Sequence, residues 1–269
     1  MVFFRVIFKA CIVGITVLVY LLIAILIDFI VRDPDRSRRR RNEILQPMSA
    51  FCVRRMGIQL TITNAPPFDH SQNYLFVGNH MGFLDIFICA SAMPTSFITS
   101  LDLKRTPVLG WVSVAGGCLF VDRRSHNNIQ NEISGIRQVL SRGHNVVLYP
   151  EAKATDGAKI YPFKKSLMTS VVGTKALILP MVLNYRKVND EPMSHKWRDS
   201  VSWWGDRSFV TCFYEALSVY KIEAELEFLN PIQCTSDDQR REVAQQAQSQ
   251  VEAKFVPIPW PDSSTAPQI

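Results

Sequence analysis

A histidine and an aspartate stand five residues apart in a largely apolar segment, NHMGFLDIF. A regular helix turns by about 100° per residue, so an i, i+5 pair lies on different faces. A regular strand sends side chains at odd intervals to opposite faces of the sheet. His80 and Asp85 can therefore meet only if the chain bends between them. We predict a strand that ends at Gly78–Asn79, a turn through Met81–Gly82 and a helix that starts near Phe83.

This pair has the chemistry of a general base and its partner. An imidazole titrates near neutral pH, so His80 can take a proton from a reacting group. Asp85 can accept the other ring N–H, select the tautomer and stabilise the imidazolium. No GxSxG segment is present and Cys89 lies in an apolar helical pattern, so the nucleophile would be water or a substrate hydroxyl. A His–Asp pair that only caps a helix is the alternative.

Two later strands are also predicted to end in polar residues. The segment GGCLFVDRR places Arg123 after an apolar run, and NVVLYPEAKATDG places Glu151 and Lys153 after another. The planar guanidinium group suits phosphate, and Glu151 can bind a substrate hydroxyl or an arginine. Ligands of open α/β sheets bind beyond the carboxyl ends of the strands. The sequence therefore predicts one polar sheet edge, although each segment alone is equally typical of a solvated loop.

The elements that would position these residues alternate in type after residue 57. Strand-like runs occur at 58–63, 74–78, 96–100, 118–122, 145–149, 177–183 and 224–229, and helical patterns at 83–92, 127–141, 164–175 and 236–254. This alternation predicts an α/β fold with a largely parallel mixed sheet flanked by helices. Pro180 interrupts the sixth run, which predicts an edge strand or a bulge there.

The amino-terminal region has the pattern of a membrane anchor. Residues 10–27 carry no charge, and as a helix they would span about 27 Å of the roughly 30 Å hydrocarbon layer. Six arginines follow by residue 41, whereas only two basic residues precede the run, so the rest of the chain is expected on the cytoplasmic face. A signal peptide is disfavoured because no small-residue cleavage site follows. The helix either crosses the bilayer or lies shallowly in it, as a hairpin with a second helix at 42–56.

Composition excludes several other classes of protein. The 269 residues are 47% hydrophobic with a net charge of +6, which argues against a disordered or fibrous chain. The six cysteines show no metal-ligand or disulfide-framework spacing, so we expect neither a zinc site nor disulfides. Because the basic clusters adjoin the apolar helix and no nucleic-acid motif is present, nucleic acid is not an expected partner.

Taken together, four ordered blocks resemble the glycerophospholipid acyltransferase family. They are His-x4-Asp, a glycine-led strand that ends in Asp-Arg, an aromatic-Pro-Glu loop and an apolar strand with a proline, and they span residues 74–185. The bacterial lysophosphatidic acid acyltransferases are the members that the chain resembles most. The expected organisation is a membrane-anchoring helical region with a basic linker (1–57), an α/β acyltransferase domain (58–257) and a loosely ordered tail (258–269).

The resemblance implies roles for particular residues. His80 would be the general base and Asp85 its partner, and no metal or redox cofactor would be required. The substrate-binding residues that the family pattern implies are Arg123 and Glu151 for the acceptor, Pro180 on the acyl side, Lys153 and Gly117. The donor would be a thioester of coenzyme A or acyl carrier protein. The other partners would be membrane lipids and a lysophospholipid acceptor.

The third block departs from the family pattern Phe-Pro-Glu-Gly-Thr-Arg. Here it reads Tyr-Pro-Glu-Ala-Lys-Ala, so Ala152 replaces the glycine, Lys153 the hydroxyl residue and Ala154 the arginine. A lysine supplies only a point charge where the arginine would supply a fork of donors. This change bears on the acceptor and leaves the catalytic pair intact.

The expected function is acyl transfer at a membrane. The favoured acceptor is 1-acyl-glycerol-3-phosphate, which would give phosphatidic acid. The alternatives are another lyso-lipid such as lyso-ornithine lipid, a hydrolase in which the same pair activates water, and a non-catalytic membrane scaffold with an acyltransferase-like domain.

Overall fold

The computed structural model describes residues 2–68, 71–122 and 128–261. The helices are α1 Val2–Ile30, α2 Pro34–Arg55, α3 Phe83–Ala92, α4 Leu101–Lys104, α5 Leu109–Ala115, α6 Ile129–Ser141, α7 Phe209–Ser218 and α8 Arg240–Lys254, with 3₁₀ turns at Ser166–Val171, His195–Ser200 and Asp237–Gln239. The strands are β1 Ile58–Thr63, β2 Tyr74–Gly78, β3 Ser96–Ser100, β4 Leu119–Val121, β5 Val146–Leu148, β6 Leu177–Val188, β7 Glu191–Pro192 and β8 Ile222–Phe228.

The strands form one mixed sheet in the order β1-β8-β6-β2-β5-β3-β4, with β7 paired to β6. Neighbours are parallel except where β6 pairs with β7 and β8. Both faces of the central strand β2 are covered: Phe76 packs in one hydrophobic core, and Leu75 and Val77 pack in the other. The predicted α/β fold with a largely parallel mixed sheet is confirmed.

One predicted helix is wrong. Within residues 164–175 the structure forms only the 3₁₀ turn Ser166–Val171. The Thr169 and Ser170 hydroxyls donate to the carbonyls of residues three positions earlier. Such local side-chain bonds compete with the regular helical ladder. The predicted helix at 83–92 coincides with α3.

The prediction of an edge strand or bulge at Pro180 is also wrong. Strand β6 lies inside the sheet, between β2 and β8, and Pro180 is paired with Val77. Proline lacks a backbone N–H. Regular pairing with β8 starts only at Met181, so the missing donor interrupts no bond of that ladder. The irregularity in β6 lies further on, between Tyr185 and Lys187.

Helix α1 has one face against the protein and one face outward. It is 29 residues long and apolar enough to cross a membrane. Lys9, Val13, Tyr20 and Ala24 are buried, and the helix contacts α2, α5 and α7. Five of the six arginines predicted to form a linker lie instead within α2, because Asp33 caps that helix and Pro34 occupies its first position.

The packed part of the chain extends further toward the carboxyl terminus than predicted. Ile258 is buried and its N–H donates to the Gly157 carbonyl. The indole N–H of Trp260 donates to an Asp156 carboxylate oxygen at 2.7 Å. Residues 258–260, predicted to be loosely ordered, are therefore held against the loop that contains the third block (residues 149–157, the third-block loop). Residues 262–269 lie outside the described part of the chain.

Candidate active site

The bend between β2 and α3 brings the predicted pair together. Strand β2 ends at Gly78 and α3 begins at Phe83, as the sequence predicts. The Nδ1 of His80 lies 2.9 Å from Oδ2 of Asp85. Asp85 is 1% exposed, whereas the His80 side chain keeps 18% of its surface exposed. The predicted contact is confirmed, and its catalytic role stays a prediction.

Asp85 also holds the backbone of the bend. Its Oδ2 accepts the N–H groups of Met81 at 2.6 Å and Gly82 at 2.9 Å. The Asp85 carboxylate thus both caps the first turn of α3 and orients the His80 imidazole. The geometry therefore fits the helix-capping interpretation of the pair as well as the interpretation as a base with its partner. Because Nδ1 faces Asp85, Nε2 is the ring nitrogen available to a substrate.

Two tyrosines that sequence reasoning missed support the pair. The Tyr185 hydroxyl donates to Oδ1 of Asp85 at 2.7 Å, and the Tyr149 ring stacks on the His80 ring with centroids 4.1 Å apart. Burial, with the Asp85 charge adding to it, raises the Tyr185 pKa well above its usual value, so this hydroxyl stays a donor. Burial raises the pKa of the nearby Cys89 thiol to about 12, which excludes it as a nucleophile at neutral pH.

The third-block loop holds the backbone of His80 from both sides. Oε1 of Glu151 accepts the His80 N–H at 2.9 Å, and Oε2 accepts the Tyr161 N–H at 2.8 Å. The Thr155 N–H and hydroxyl donate to the His80 carbonyl at 2.9 and 3.1 Å. Both oxygens of Glu151 are thus engaged with the protein, so in this geometry Glu151 positions His80.

The Glu151 carboxyl is electrostatically unusual. The residue is 5% exposed, and burial raises its pKa to about 7, although the two N–H bonds and Lys153 oppose the shift. A pKa displaced in this way is typical of functional sites, where burial often disfavours the charged form of a carboxyl group.

The residues after Glu151 show what the altered block does to the loop. Ala152 has φ +62°, in the left-handed region that favours glycine, and it replaces the family's glycine. Lys153 is exposed, and its Nζ lies 5.1 Å from the centroid of the Tyr161 ring. Lys159 lies at the same distance from that ring. The loop therefore presents two ammonium groups around one aromatic ring.

Two further contacts tie the bend to its surroundings. The Asn79 side chain exchanges hydrogen bonds of 2.9 Å with the backbone N–H and carbonyl of Leu183 in β6. The Trp203 N–H donates to the Met81 carbonyl at 2.6 Å. The bend is thus attached to an interior strand on one side and to the segment before α7 on the other.

The remaining predicted site residues are Gly117, Pro180 and Arg123. Gly117 is buried with φ +65°, and its carbonyl accepts a hydrogen bond from the Arg38 side chain of α2. Pro180 is buried in β6. Arg123 lies outside the described residues. Within residues 2–68, 71–122 and 128–261, no cluster of three or more metal-ligating side chains occurs.

Known proteins resemble the chain in sequence and in fold. The family model described as Acyltransferase matches residues 59–184. The 1-acyl-sn-glycerol-3-phosphate acyltransferase of Neisseria gonorrhoeae is 29% identical over 74% of each chain. The lyso-ornithine lipid O-acyltransferase of Brucella abortus is 26% identical over 66% of this chain and 70% of its own. The crystal structure of the 1-acyl-sn-glycerophosphate (LPA) acyltransferase PlsC from Thermotoga maritima aligns with a TM-score of 0.64, covering 97% of this chain and 100% of its own at 15% identity.

The sequence blocks, the sheet and the site define an enzyme of the acyl-transferring class. Over residues 59–184 the chain is similar to the acyltransferase family, and it is an O-acyltransferase. Its long apolar helix α1 associates it with the membrane.

Proposed function

We propose that the chain transfers a fatty acyl group from an acyl-CoA or acyl-carrier-protein thioester to the free hydroxyl of a lysophospholipid, with His80 as general base. The preferred acceptor is 1-acyl-glycerol-3-phosphate and the product is phosphatidic acid. The observation that carries the proposal is the 2.9 Å contact of His80 and Asp85 at the carboxyl end of β2. The relatives with 1-acyl-sn-glycerol-3-phosphate acyltransferase in their names support the acceptor.

The chemistry needs only the groups of the bend. Nε2 of His80 takes the proton of the acceptor hydroxyl as its oxygen attacks the thioester carbonyl, and Asp85 stabilises the imidazolium that forms. The tetrahedral intermediate then expels the thiolate, which receives the proton from His80. The acceptor itself is the nucleophile, so no acyl-enzyme forms. The proposed reaction uses no metal ion and no redox cofactor.

Recognition of the acceptor would fall to the second and third blocks. Arg123 would bind the acceptor's phosphate, and Lys153 with Lys159 would add positive charge beside Tyr161, where an anionic headgroup is stabilised by both ammonium groups. Gly117 and Pro180 would shape the substrate site through the backbone of their strands. Glu151 would hold His80 in place rather than touch the acceptor.

Lyso-ornithine lipid is the second candidate acceptor. The third block carries Ala154 in place of the family's arginine, which removes a phosphate ligand, and several relatives are named lyso-ornithine lipid O-acyltransferases. An acceptor without a phosphate would need that arginine less.

The packing of α1 supports a proposal for how the protein sits at the membrane. An Arg5 Nη group donates to the Ser218 carbonyl at 2.7 Å, and the Tyr20 hydroxyl donates to the Ala115 carbonyl. The helix is therefore attached to the catalytic domain over about 22 Å of its length. We infer that α1 lies along the cytoplasmic side of the membrane with its outer face in lipid. The arginines of α2 would then face anionic headgroups.

The deciding experiment offers the purified protein labelled acyl-CoA, and in parallel labelled acyl carrier protein, with a panel of lyso-lipids, and identifies the products by mass. We expect phosphatidic acid from 1-acyl-glycerol-3-phosphate and a smaller yield from other lyso-lipids. Diacylated ornithine lipid as the main product would replace the acceptor and keep the reaction. Free fatty acid formed equally without any acceptor would indicate a hydrolase, and no product from any acceptor with either donor would indicate a scaffold.

A further inference from the structure

Helix α5 carries an apolar stripe that the described protein does not cover. Val108, Trp111 and Val114 are 49%, 64% and 48% exposed. Trp111 and Val114, three residues apart, lie on one face of α5, and Val108 directly precedes the helix at its N-cap position. The opposite face of the helix is closely packed, since a Cβ at Gly110 would lie 2.3 Å from the Lys104 carbonyl oxygen. A stripe of two valines and a tryptophan on an otherwise packed short helix indicates an interaction surface.

Helix α5 packs beside α1. The Tyr20 hydroxyl of α1 donates to the Ala115 carbonyl at the end of α5. On α1, Leu18 and Leu22 on either side of Tyr20 are 57% and 58% exposed. The apolar surface of the membrane helix therefore has a neighbouring helix of the same character at the level of Tyr20.

The segment just before α5 has an unusual backbone conformation and two cations. Val108 has φ +63°, a left-handed conformation that is unusual for a β-branched residue. Lys104 and Arg105, both exposed, lie just before it. An exposed apolar stripe preceded by two cations matches the interface of a bilayer with anionic lipid, where acyl chains and phosphates are close together.

We propose that α5 is a second membrane-contacting element, in which Val108, Trp111 and Val114 enter the interfacial layer of the bilayer beside α1. The proposal rests on the proposed function only for the contact of α1 with lipid. Trp111 suits this layer because its indole is apolar with one polar N–H, and tryptophan is enriched at membrane interfaces. The lipid surface is favoured over a protein partner because α5 packs beside α1, whose exposed side chains are apolar, and because the exposed cations Lys104 and Arg105 precede the stripe.

The proposed position of α5 would affect how the lyso-lipid substrate reaches the site. Helix α5 is followed by β4, whose carboxyl end leads to Asp122 and Arg123. If α5 rests in the interface, the strand that leads to the proposed phosphate ligand starts at headgroup depth. A lyso-lipid would then reach the site without leaving the membrane surface.

The test measures the contact of Trp111 with lipid on the full-length protein. The protein is bound to vesicles of phosphatidylcholine and phosphatidylglycerol with plain or brominated acyl chains, and the emission of Trp111→Phe is subtracted from that of the wild type. We expect the Trp111 difference emission to be blue-shifted and quenched by about half or more by bromine. Trp260→Phe is the matched control, since Trp260 is packed on the Arg198 guanidinium and its emission should be quenched less.

A second variant measures the energetic contribution. Trp111→Asp should lower the vesicle partition coefficient about tenfold, as expected for loss of one large apolar contact. Ile62→Asp is the control, because Ile62 is 41% exposed on β1, at the sheet edge opposite β4. Circular dichroism melting of both variants separates a folding defect from a loss of lipid contact.

The outcomes that overturn the proposal are distinct. Trp111 emission that is unaffected by bromine, or equal loss of binding in both aspartate variants, would show that α5 is not in lipid. A change from dimer to monomer in detergent on Trp111→Asp would assign the stripe to a second copy of the chain. Neither readout depends on catalysis, so a failure of the acyl-transfer assay would leave this test intact, and the reverse.

Discussion

The bend at residues 79–87 and the loop at residues 149–157 serve the same histidine in different ways. The bend holds the His80 side chain through Asp85, and the loop holds its backbone through Glu151 and Thr155. The bend keeps the family's residues, whereas the loop replaces three of them after the glutamate. In the bend one carboxylate accepts four hydrogen bonds.

Under the proposed function, this difference would separate catalysis from recognition. Glu151 and Thr155, which touch His80, lie at the base of the loop and are buried, while Lys153 is exposed at its tip. Substitutions at the tip can therefore change the acceptor without moving the base. The four predictions that follow would break or sharpen this division, in descending order of expected effect.

Asp85→Asn should have the largest effect of the four, a fall in kcat of about 10²- to 10⁴-fold. Both oxygens of Asp85 accept hydrogen bonds, so the NH₂ group of an asparagine would face N–H or O–H donors on one side. The asparagine would also no longer fix the tautomer of the His80 imidazole. Acyl transfer by the purified variant measures the loss. Asp156→Asn is a matched control, as Asp156 is a similarly buried aspartate in the loop, and a comparable loss there would contradict the division.

Glu151→Gln should remove a pH dependence of stability. Because burial raises the Glu151 pKa from 4.5 to about 7, the folded state binds the proton more tightly than the unfolded state. Stability from this group is therefore complete below pH 4.5 and is lost as the pH rises through 7. The loss is on the order of 3 to 4 kcal/mol, at about 1.4 kcal/mol per pKa unit.

The measurement for Glu151 is denaturant unfolding in detergent from about pH 4 to about pH 8. The free energy of unfolding should fall more steeply with rising pH for the wild type than for Glu151→Gln. A glutamine has only one oxygen, so it can accept only one of the two N–H bonds that Glu151 accepts. This loss lowers the free energy of unfolding of the variant by the same amount at every pH. Parallel curves for the two proteins would mean that the carboxyl titrates at its ordinary pKa.

Tyr185→Phe should lower kcat about tenfold with little change in KM. The variant loses one hydrogen bond to a charged group, worth about 1.5 kcal/mol, and Asp85 then holds His80 less firmly. Tyr149→Phe is the control, since its ring keeps the stack on His80 and loses only a contact of the hydroxyl with Cys89. An equal effect of the two substitutions would remove the positioning role of Tyr185.

Ala152→Gly should stabilise the protein slightly, by about 1 kcal/mol or less. The left-handed backbone at Ala152 costs a residue with a side chain about 1–2 kcal/mol. Glycine avoids this cost, but it loses more backbone entropy on folding, which offsets part of the gain. Thermal unfolding measures the change. Ala154→Gly is the comparison and should be neutral or destabilising, as Ala154 has no positive φ.

The sequence predicted the bend well because the constraint was local. An interval of five residues fits neither regular element, so the contact of His80 with Asp85 required a strand, a turn and a helix. The sheet followed from the alternation of elements, since parallel strands require crossover connections. Parallel pairing then accounts for the position of His80 and Glu151 at one edge, because β2 and β5 are neighbours.

The contacts that the sequence did not predict are long-range or use the backbone. Tyr185 meets Asp85 across a hundred residues, and nothing near Tyr185 marks it. Glu151 and Thr155 bind main-chain groups of His80, and every residue type has such groups. The interior position of β6 was hidden because its proline lies where the ladder with β8 is incomplete.

Replacement of His80 by alanine tests the central claim most directly. The assay is transfer from labelled acyl-CoA to 1-acyl-glycerol-3-phosphate by wild type and His80→Ala in the same vesicles, with vesicle binding and thermal unfolding measured alongside. We expect a loss of activity of about 10³-fold or more, with folding and membrane binding unchanged. A folded, membrane-bound His80→Ala variant that retains most of its acyl transfer would contradict the assignment of His80 as the base.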